Sequence, residues 1–326
     1  MKSFIITLSK LLITALFFAY IFNKVDLRQF ADTMRGARIG LLVAALLTIW
    51  LGHFLCVLRW RVLIRPLMPL PPLANLCGIY CIGMFFNLTF PTVIGGDVVK
   101  VYYAGKTSKS YAESFASIFL DRDIGMLAMM VIACCTVVFH PVSVPGVPIT
   151  LILWGVFLLF IICNIAVFTP RFHRILNTML QKPRLTGIAA KFDNVARAFL
   201  IIGKCPAALW MSLGISFFNQ TMGCAVVWII ALSLGIRVPL FYFLIFVPVV
   251  TLISMIPISL NGMGLREYSF MSLFGATGVA DESCIALGLL YSFMLILSSL
   301  PGGLAYIFFR GKTDSVRTAA IETGLK

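Results

Sequence analysis

Between Arg65 and Asp97 the chain runs for 31 residues, Pro66–Gly96, without a charge. A membrane crossing takes about 20 apolar residues. The stretch is therefore too long to cross once and too short to cross twice. Val238–Gly264 overruns one crossing in the same way. Each run predicts a helix that enters the membrane, breaks, and returns as a shorter segment. The two breaks read almost as copies. Pro91-Thr92-Val93-Ile94-Gly95-Gly96-Asp97-Val98-Val99-Lys100 has a Gly five residues after its Pro and a cation nine residues after it. Pro257-Ile258-Ser259-Leu260-Asn261-Gly262-Met263-Gly264-Leu265-Arg266 repeats both spacings. Paired Gly/Pro interruptions in corresponding places of two halves point to a transporter's binding site.

The rest of the chain agrees with a bilayer as its solvent. Hydrophobic residues make up 60% and charged residues 12%, and mean hydropathy is +1.01. No segment is polar enough for a separate soluble domain, so residues 1–326 read as one integral membrane domain. Further spans are expected at Phe4–Phe22, Ile39–Leu58, Phe119–Phe139, Pro148–Phe168, Ala207–Ile236 and Ser283–Phe309. The fold class is all-α: a polytopic helix bundle of about eight crossings. The first half covers 1–139, with a re-entrant hairpin near 74–104. The second covers 207–310, with a hairpin near 240–280. Between them, 169–206 carries seven Lys/Arg and one acid, Asp193, with apolar residues at helical spacing. It reads as amphipathic helix on the cytoplasmic surface, broken near Pro183.

Orientation follows from the placement of Lys and Arg. Lys2, Lys10, Arg59, Arg61, Arg65, Lys100, Lys106, Lys109, the basic residues of 169–206 and the 311–326 tail go inside. Lys24, Arg28, Arg35, Arg38 and Arg237 go outside. Both termini are then cytoplasmic, and the chain is a multi-pass protein of a prokaryotic cell membrane. Arg65 and Lys106 fall on one side. Arg237 and the Asp281-Glu282 turn fall on the other. The two hairpins thus open to opposite faces, as an inverted pair. Broken backbone survives at membrane depth only where protein or water satisfies it, so both tips should face a cavity.

The net charge of +14 suits anionic lipid headgroups at the cytoplasmic face. Nucleic-acid binding is a poor reading, because the aromatics lie in apolar runs away from basic clusters. The nine Cys fall mostly in apolar runs and imply neither a disulfide framework nor a metal site. No cofactor is implied.

Charges at membrane depth cost about 2.5–3.5 kcal/mol each even on the lenient scale, so each needs a reason. Asp97 follows Gly95 and Gly96. It either caps the returning helix, pairs with a cation across the cavity, or takes a coupling proton. Lys100 lies on nearly the same helix face and is able to snorkel outward. Free N–H groups at the start of that helix would attract a phosphate. At the second break Asn261, Gly262 and Gly264 precede Arg266 and Glu267. Arg266 suits bidentate phosphate binding, or else an internal pair with Asp97 or Glu267. Asp121-Arg122-Asp123 reads either as first-turn capping or as Arg122 facing the cavity or the headgroup layer. His53 reads as hydrogen-bonded structure. Asn87, Asn164, Asn219 and Gln220 read as interhelical hydrogen bonds.

Thr89-Phe90-Pro91-x-x-x-Gly95-Gly96-Asp97-Val98-Val99-Lys100, then Asp121-Arg122-x-x-Gly125, then Pro257-x-Ser259-x-x-Gly262-x-Gly264-x-Arg266-Glu267 together resemble the flippase-like family named for the transmembrane region of lysylphosphatidylglycerol synthase. The resemblance spans about residues 10–310. In two-domain members the membrane part is thought to flip an aminoacylated lipid that a cytosolic domain makes. The chain here stops at Lys326, so aminoacyl transfer is not carried over. The resemblance and the residues together imply a translocase for a lipid with an anionic or phosphate-containing headgroup. Arg266 and the amides near Gly96 and Gly262 would hold the phosphate, with Asp97 and Glu267 competing for the cations. The rivals are a membrane-embedded transferase acting on lipid phosphates and a non-transporting subunit. Lipids are the expected partners; a second copy of the chain or a cytosolic enzyme remain open.

Overall fold

The computed structural model describes residues 12, 27–89, 95–169 and 186–308. The expected Phe4–Phe22 span, the first break at Pro91–Ile94, residues 170–185 of the amphipathic segment and the 311–326 tail lie outside the described residues. Within them the chain is all-α, with eleven helices and no strand. These are α1 (Leu27–Arg35), α2 (Ile39–Ile64), α3 (Leu73–Thr89), α4 (Gly95–Ser108), α5 (Tyr111–Phe139), α6 (Ile149–Phe168), α7 (Thr186–Gly203), α8 (Pro206–Ser233), α9 (Leu240–Ser254), α10 (Leu265–Gly275) and α11 (Asp281–Ser299). After Leu300, α11 runs on to Phe308, so that α2, α5, α6, α8 and α11 are each long and apolar enough to cross a membrane.

Three boundaries depart from expectation. The α5 helix begins at Tyr111 rather than Phe119. Charge at 121–123 had looked like a membrane edge, but it lies well inside a 29-residue helix. The α2 helix continues past Leu58 through Arg59 and Arg61, because both the guanidinium of Arg59 and the ring of Trp60 find partners inside the bundle. Leu27–Arg35 forms a helix where only a basic loop was expected.

The central contact is α2 along α8. Small residues let the two approach: Ala45 on α2 and Ser212 and Ser216 on α8 are buried, and a Cβ at Gly52 would press on the Asn219 amide. Such small-residue seams are the usual way helices meet where lipid removes the hydrophobic drive. The largest core joins α8, α9, α10 and α11. Its centre is aromatic, with Phe243 and Phe246 at 4.7 and 5.1 Å from the Phe274 ring. A second core packs Trp60 of α2 against Leu76 and Ile79 of α3. A third buries Ala198, Phe199 and Ile202 of α7 against Leu120 of α5. Phe199 and the partly buried Val195 belong to the helical spacing noted in the sequence; Ala198 and Ile202 do not.

Two antiparallel pairs of short helices stand out. In α3/α4, Asn87 meets Gly96 while Tyr80 and Gly83 meet Lys100. In α9/α10, Ser254 meets Gly262 while Phe243 and Phe246 meet Phe274. The four helices hold 17, 14, 15 and 11 residues. At 1.5 Å per residue they reach only about 16–25 Å, against a hydrocarbon core of about 30 Å.

Each pair sits in the same frame: long helix, short helix, break, short helix, long helix. The step from Ile39 to Leu73 equals that from Pro206 to Leu240, and the step from Gly95 to Tyr111 equals that from Leu265 to Asp281. Helix order and spacing thus repeat between α2–α5 and α8–α11, apart from a few residues between the short helices.

Candidate functional site

At the first tip Asp97 is the third residue of α4. Its carboxylate accepts from Lys100 Nζ at 3.1 Å and from Arg122 Nη1 of α5 at 2.5 Å. Of the readings open for Asp97, pairing with cations is the one the geometry takes. The helix start is capped instead by Asn87, whose Oδ1 accepts from the Gly96 N–H at 2.7 Å. Lys100 does not snorkel outward: it is 8% exposed. Its ammonium sits 4.3 Å over the Tyr80 ring, and its stem lies flat against Gly83. A Cβ at Gly96 would overlap the Gly83 carbonyl oxygen, so only Gly lets α4 approach α3 this closely.

At the second tip the backbone turns left-handed at Asn261 (φ 50°), Gly262 (φ 76°) and Gly264 (φ 79°). Gly tolerates such angles without strain and Asn tolerates them better than most residues. That run reverses the chain into α10. Glu267, the third residue of α10 and 0% exposed, reaches back to accept from the Gly264 N–H at 2.6 Å, satisfying a donor left over at the helix start. Its other oxygen accepts from Ser292 Oγ of α11 at 2.7 Å. That same hydroxyl accepts from Arg266 Nη1 at 3.0 Å. Arg266 and Glu267 are thus joined through Ser292 rather than paired directly. Arg266 Nη2 also reaches the Asn261 carbonyl at 3.4 Å, and the guanidinium lies 5.7 Å from the Tyr291 ring. Among the described residues no carboxylate lies within ion-pairing distance of Arg266, unlike Arg59, Lys100 and Arg122.

The tips correspond. Asp97 and Glu267 hold the same place in α4 and α10, and each bonds a partner 25 residues on, Arg122 and Ser292. The predicted residues therefore fall into two sets. Gly95, Gly96, Asp97, Lys100 and Arg122 gather at one tip. Asn261, Gly262, Gly264, Arg266 and Glu267 gather at the other. An Arg266–Asp97 pair does not form, since Asp97 is taken by Lys100 and Arg122.

Between the sets lies a string of polar side chains and small cavities. A cavity of about 330 Å³ beside α3 is lined by His53, Tyr80 and Ser298. One of about 130 Å³ takes in His53, Asn219, Gln220 and Tyr291. One of about 150 Å³ takes in Thr251, Ser254, Tyr291 and Arg266. His53 Nε2 lies 3.3 Å from Ser298 Oγ, in keeping with a hydrogen-bonded structural role. The amides bond between helices as expected: Asn164 to Asp123, Asn219 to Cys56 and Gln220 to the Gly125 carbonyl.

Sequence reasoning missed one buried charge pair, Arg59 with Asp121. Arg59, 5% exposed, donates to both oxygens of Asp121 at 2.7 and 2.9 Å and to Ser216 Oγ at 2.9 Å. Its position just beyond an apolar run suggested a loop cation. The signal that distinguishes it is the neighbouring Trp60, whose indole N–H donates to Ser117 of α5 at 3.1 Å. First-turn capping by Asp121-Arg122-Asp123 is also overturned, since α5 starts at Tyr111. Successive residues on a helix point about 100° apart. The triplet therefore fans out: Asp121 to Arg59 on α2, Arg122 to Asp97 on α4, Asp123 to Asn164 on α6.

A cavity of about 450 Å³ opens beside that fan between α4, α5 and α6. Its walls are apolar, with Phe115, Phe119 and Phe160, and its polar end holds Asp97, Arg122, Asp123 and Asn164.

The family model described as the lysylphosphatidylglycerol synthase TM region matches residues 7–302. No curated protein and no solved structure matches the chain.

Proposed function

The chain belongs to the lysylphosphatidylglycerol synthase transmembrane-region family and is a multi-pass membrane protein; from that premise we propose that it moves a lipid with a phosphate-containing or anionic headgroup between leaflets. The observation that carries this reading is Arg266. A guanidinium at a hairpin tip, facing a cavity and bound among the described residues only to a hydroxyl, a carbonyl and a ring face, retains capacity for a phosphate oxygen. At the first tip two cations, Lys100 and Arg122, share the one carboxylate of Asp97. Two moderate sites, with small cavities between them that each carry a few polar side chains, suit passage, which needs binding weak enough to release.

Arg266→Ala and Asp97→Asn test the assignment in proteoliposomes holding a fluorescent phospholipid. Each is expected to slow leaflet exchange about tenfold or more, the scale of a lost charge-assisted hydrogen bond. Unchanged rates in both variants would remove the site assignment. Exchange by the intact protein no faster than in protein-free vesicles would remove the function.

In this reading the two short-helix pairs are re-entrant hairpins that enter from opposite faces, within a single membrane domain of a prokaryotic cell membrane. Their lengths, each below a full crossing, and the cations flanking α3/α4 at Arg65 and Lys106 support it. Cysteines placed at 65 and 106 are expected to react with an impermeant label from the same, cytoplasmic, face. Reaction from opposite faces would replace the first hairpin with two crossings.

A further inference from the structure

The cleft between α4, α5 and α6 has chemistry beyond phosphate binding. Asp97 and Asp121 are each held by cations, but among the described residues no cation holds Asp123. Its one partner among the described residues is Asn164 Nδ2, 3.2 Å from Oδ1. Asn164 Nδ2 also donates to its own helix at the Phe160 carbonyl, 3.1 Å away. No donor among the described residues meets the second oxygen of Asp123 or the side-chain oxygen of Asn164. Two unmet acceptors thus line a 450 Å³ cleft whose volume suits a small ligand. Arg122 lines the same end, one residue from Asp123. Polar acceptors facing an apolar space are costly unless something donates to them.

The cleft's other walls say where the ligand's remainder goes. Val98, Phe115 and Phe119 line it and are well exposed on the bundle's outer surface, as expected where acyl chains pass. On the translocation reading above, we propose that this cleft reads the lipid headgroup. Arg122 faces the phosphate. Asp123 and Asn164 accept from hydrogen-bond donors carried beyond it, hydroxyls or a primary amine. The favoured lipid is therefore a phospholipid with a donor-bearing headgroup, and the acid–amide pair sets that preference.

Cys163 lines the same cleft and is exposed, which provides a native reporter. The full chain in detergent is treated with a thiol reagent, and modification of the peptide containing Cys163 is followed by mass spectrometry. Phosphatidylglycerol is compared with phosphatidylmethanol, which keeps the phosphodiester and lacks the hydroxyls. Phosphatidylethanolamine is compared with phosphatidylcholine, which lacks N–H. Protection at about tenfold lower concentration by the donor-bearing member of either pair supports the inference, tenfold being the scale of one hydrogen bond to a charged group. The hydroxyl and amine pairs tell the two donor types apart. In Asp123→Asn and Asn164→Ala the preference should shrink, while Arg122→Ala should weaken all four lipids alike. Equal protection within both pairs, protection by inorganic phosphate alone, or no protection by any lipid would overturn it. Clear discrimination in binding by a protein that moves no lipid would overturn the translocation reading instead.

Discussion

Replacing Arg59 with Met should lower the stability of the folded bundle by about 3–5 kcal/mol, the cost of leaving one member of a buried pair without its partner. The guanidinium makes two bonds to Asp121 and one to Ser216, which ties α2, α5 and α8 at one point. Without it the Asp121 carboxylate stays in the interior with no counter-charge. Arg59→Lys keeps the charge and loses the planar fork, and should fall between the two. Combining Arg59→Met with Asp121→Leu should recover much of the loss, because apolar groups of similar volume often replace a buried pair at little cost. Unfolding in mixed micelles, followed by circular dichroism, measures all four. An Arg59→Met protein as stable as the parent would show that the pair contributes nothing.

Gly96→Ala should disrupt the α3/α4 pair nearly as strongly. The added Cβ would overlap the backbone carbonyl of Gly83 and crowd the Asn87 amide that caps α4. Backbone cannot rotate away as a side chain does, so α3 and α4 must separate. Overpacking of this kind costs about 1–3 kcal/mol, occasionally more, and the cap adds about 1 kcal/mol if its bond is lost. Separation would also draw Lys100 off Gly83 and Tyr80. Lipid exchange should therefore fall together with the melting temperature. Ala at Gly155, where nothing lies within 4 Å, serves as the control in the same assay. A Gly96→Ala variant matching that control in both readouts would show that the helices have room to spare.

Much of this was legible in the residues because lipid imposes blunt rules. Uncharged length marked the long helices, and the two overlong runs marked the short pairs. Asn87, Asn164, Asn219 and Gln220, read as interhelical hydrogen bonds, make them. Arg122 and the first-tip acid, named separately as site residues, meet. What escaped reading was charge satisfied by tertiary contact. Arg59 and the 121–123 triplet resemble membrane edges when only hydropathy is considered. Their true depth depends on partners 62, 25 and 41 residues away, which no local pattern contains. The Ser292 relay was equally hidden, since a lone Ser in a spanning helix usually bonds its own preceding turn.

The fan at 121–123 bears on how such a bundle is able to move. Three neighbouring side chains anchor α5 to α2, α4 and α6 in three directions. Any rotation of α5 about its own axis would strain all three anchors together. This makes α5 the stator of the assembly. The α6 helix, which packs chiefly on α5, is moored to it by the Asn164 tether and, nearer its start, by Ile149 and Leu153 in the largest core.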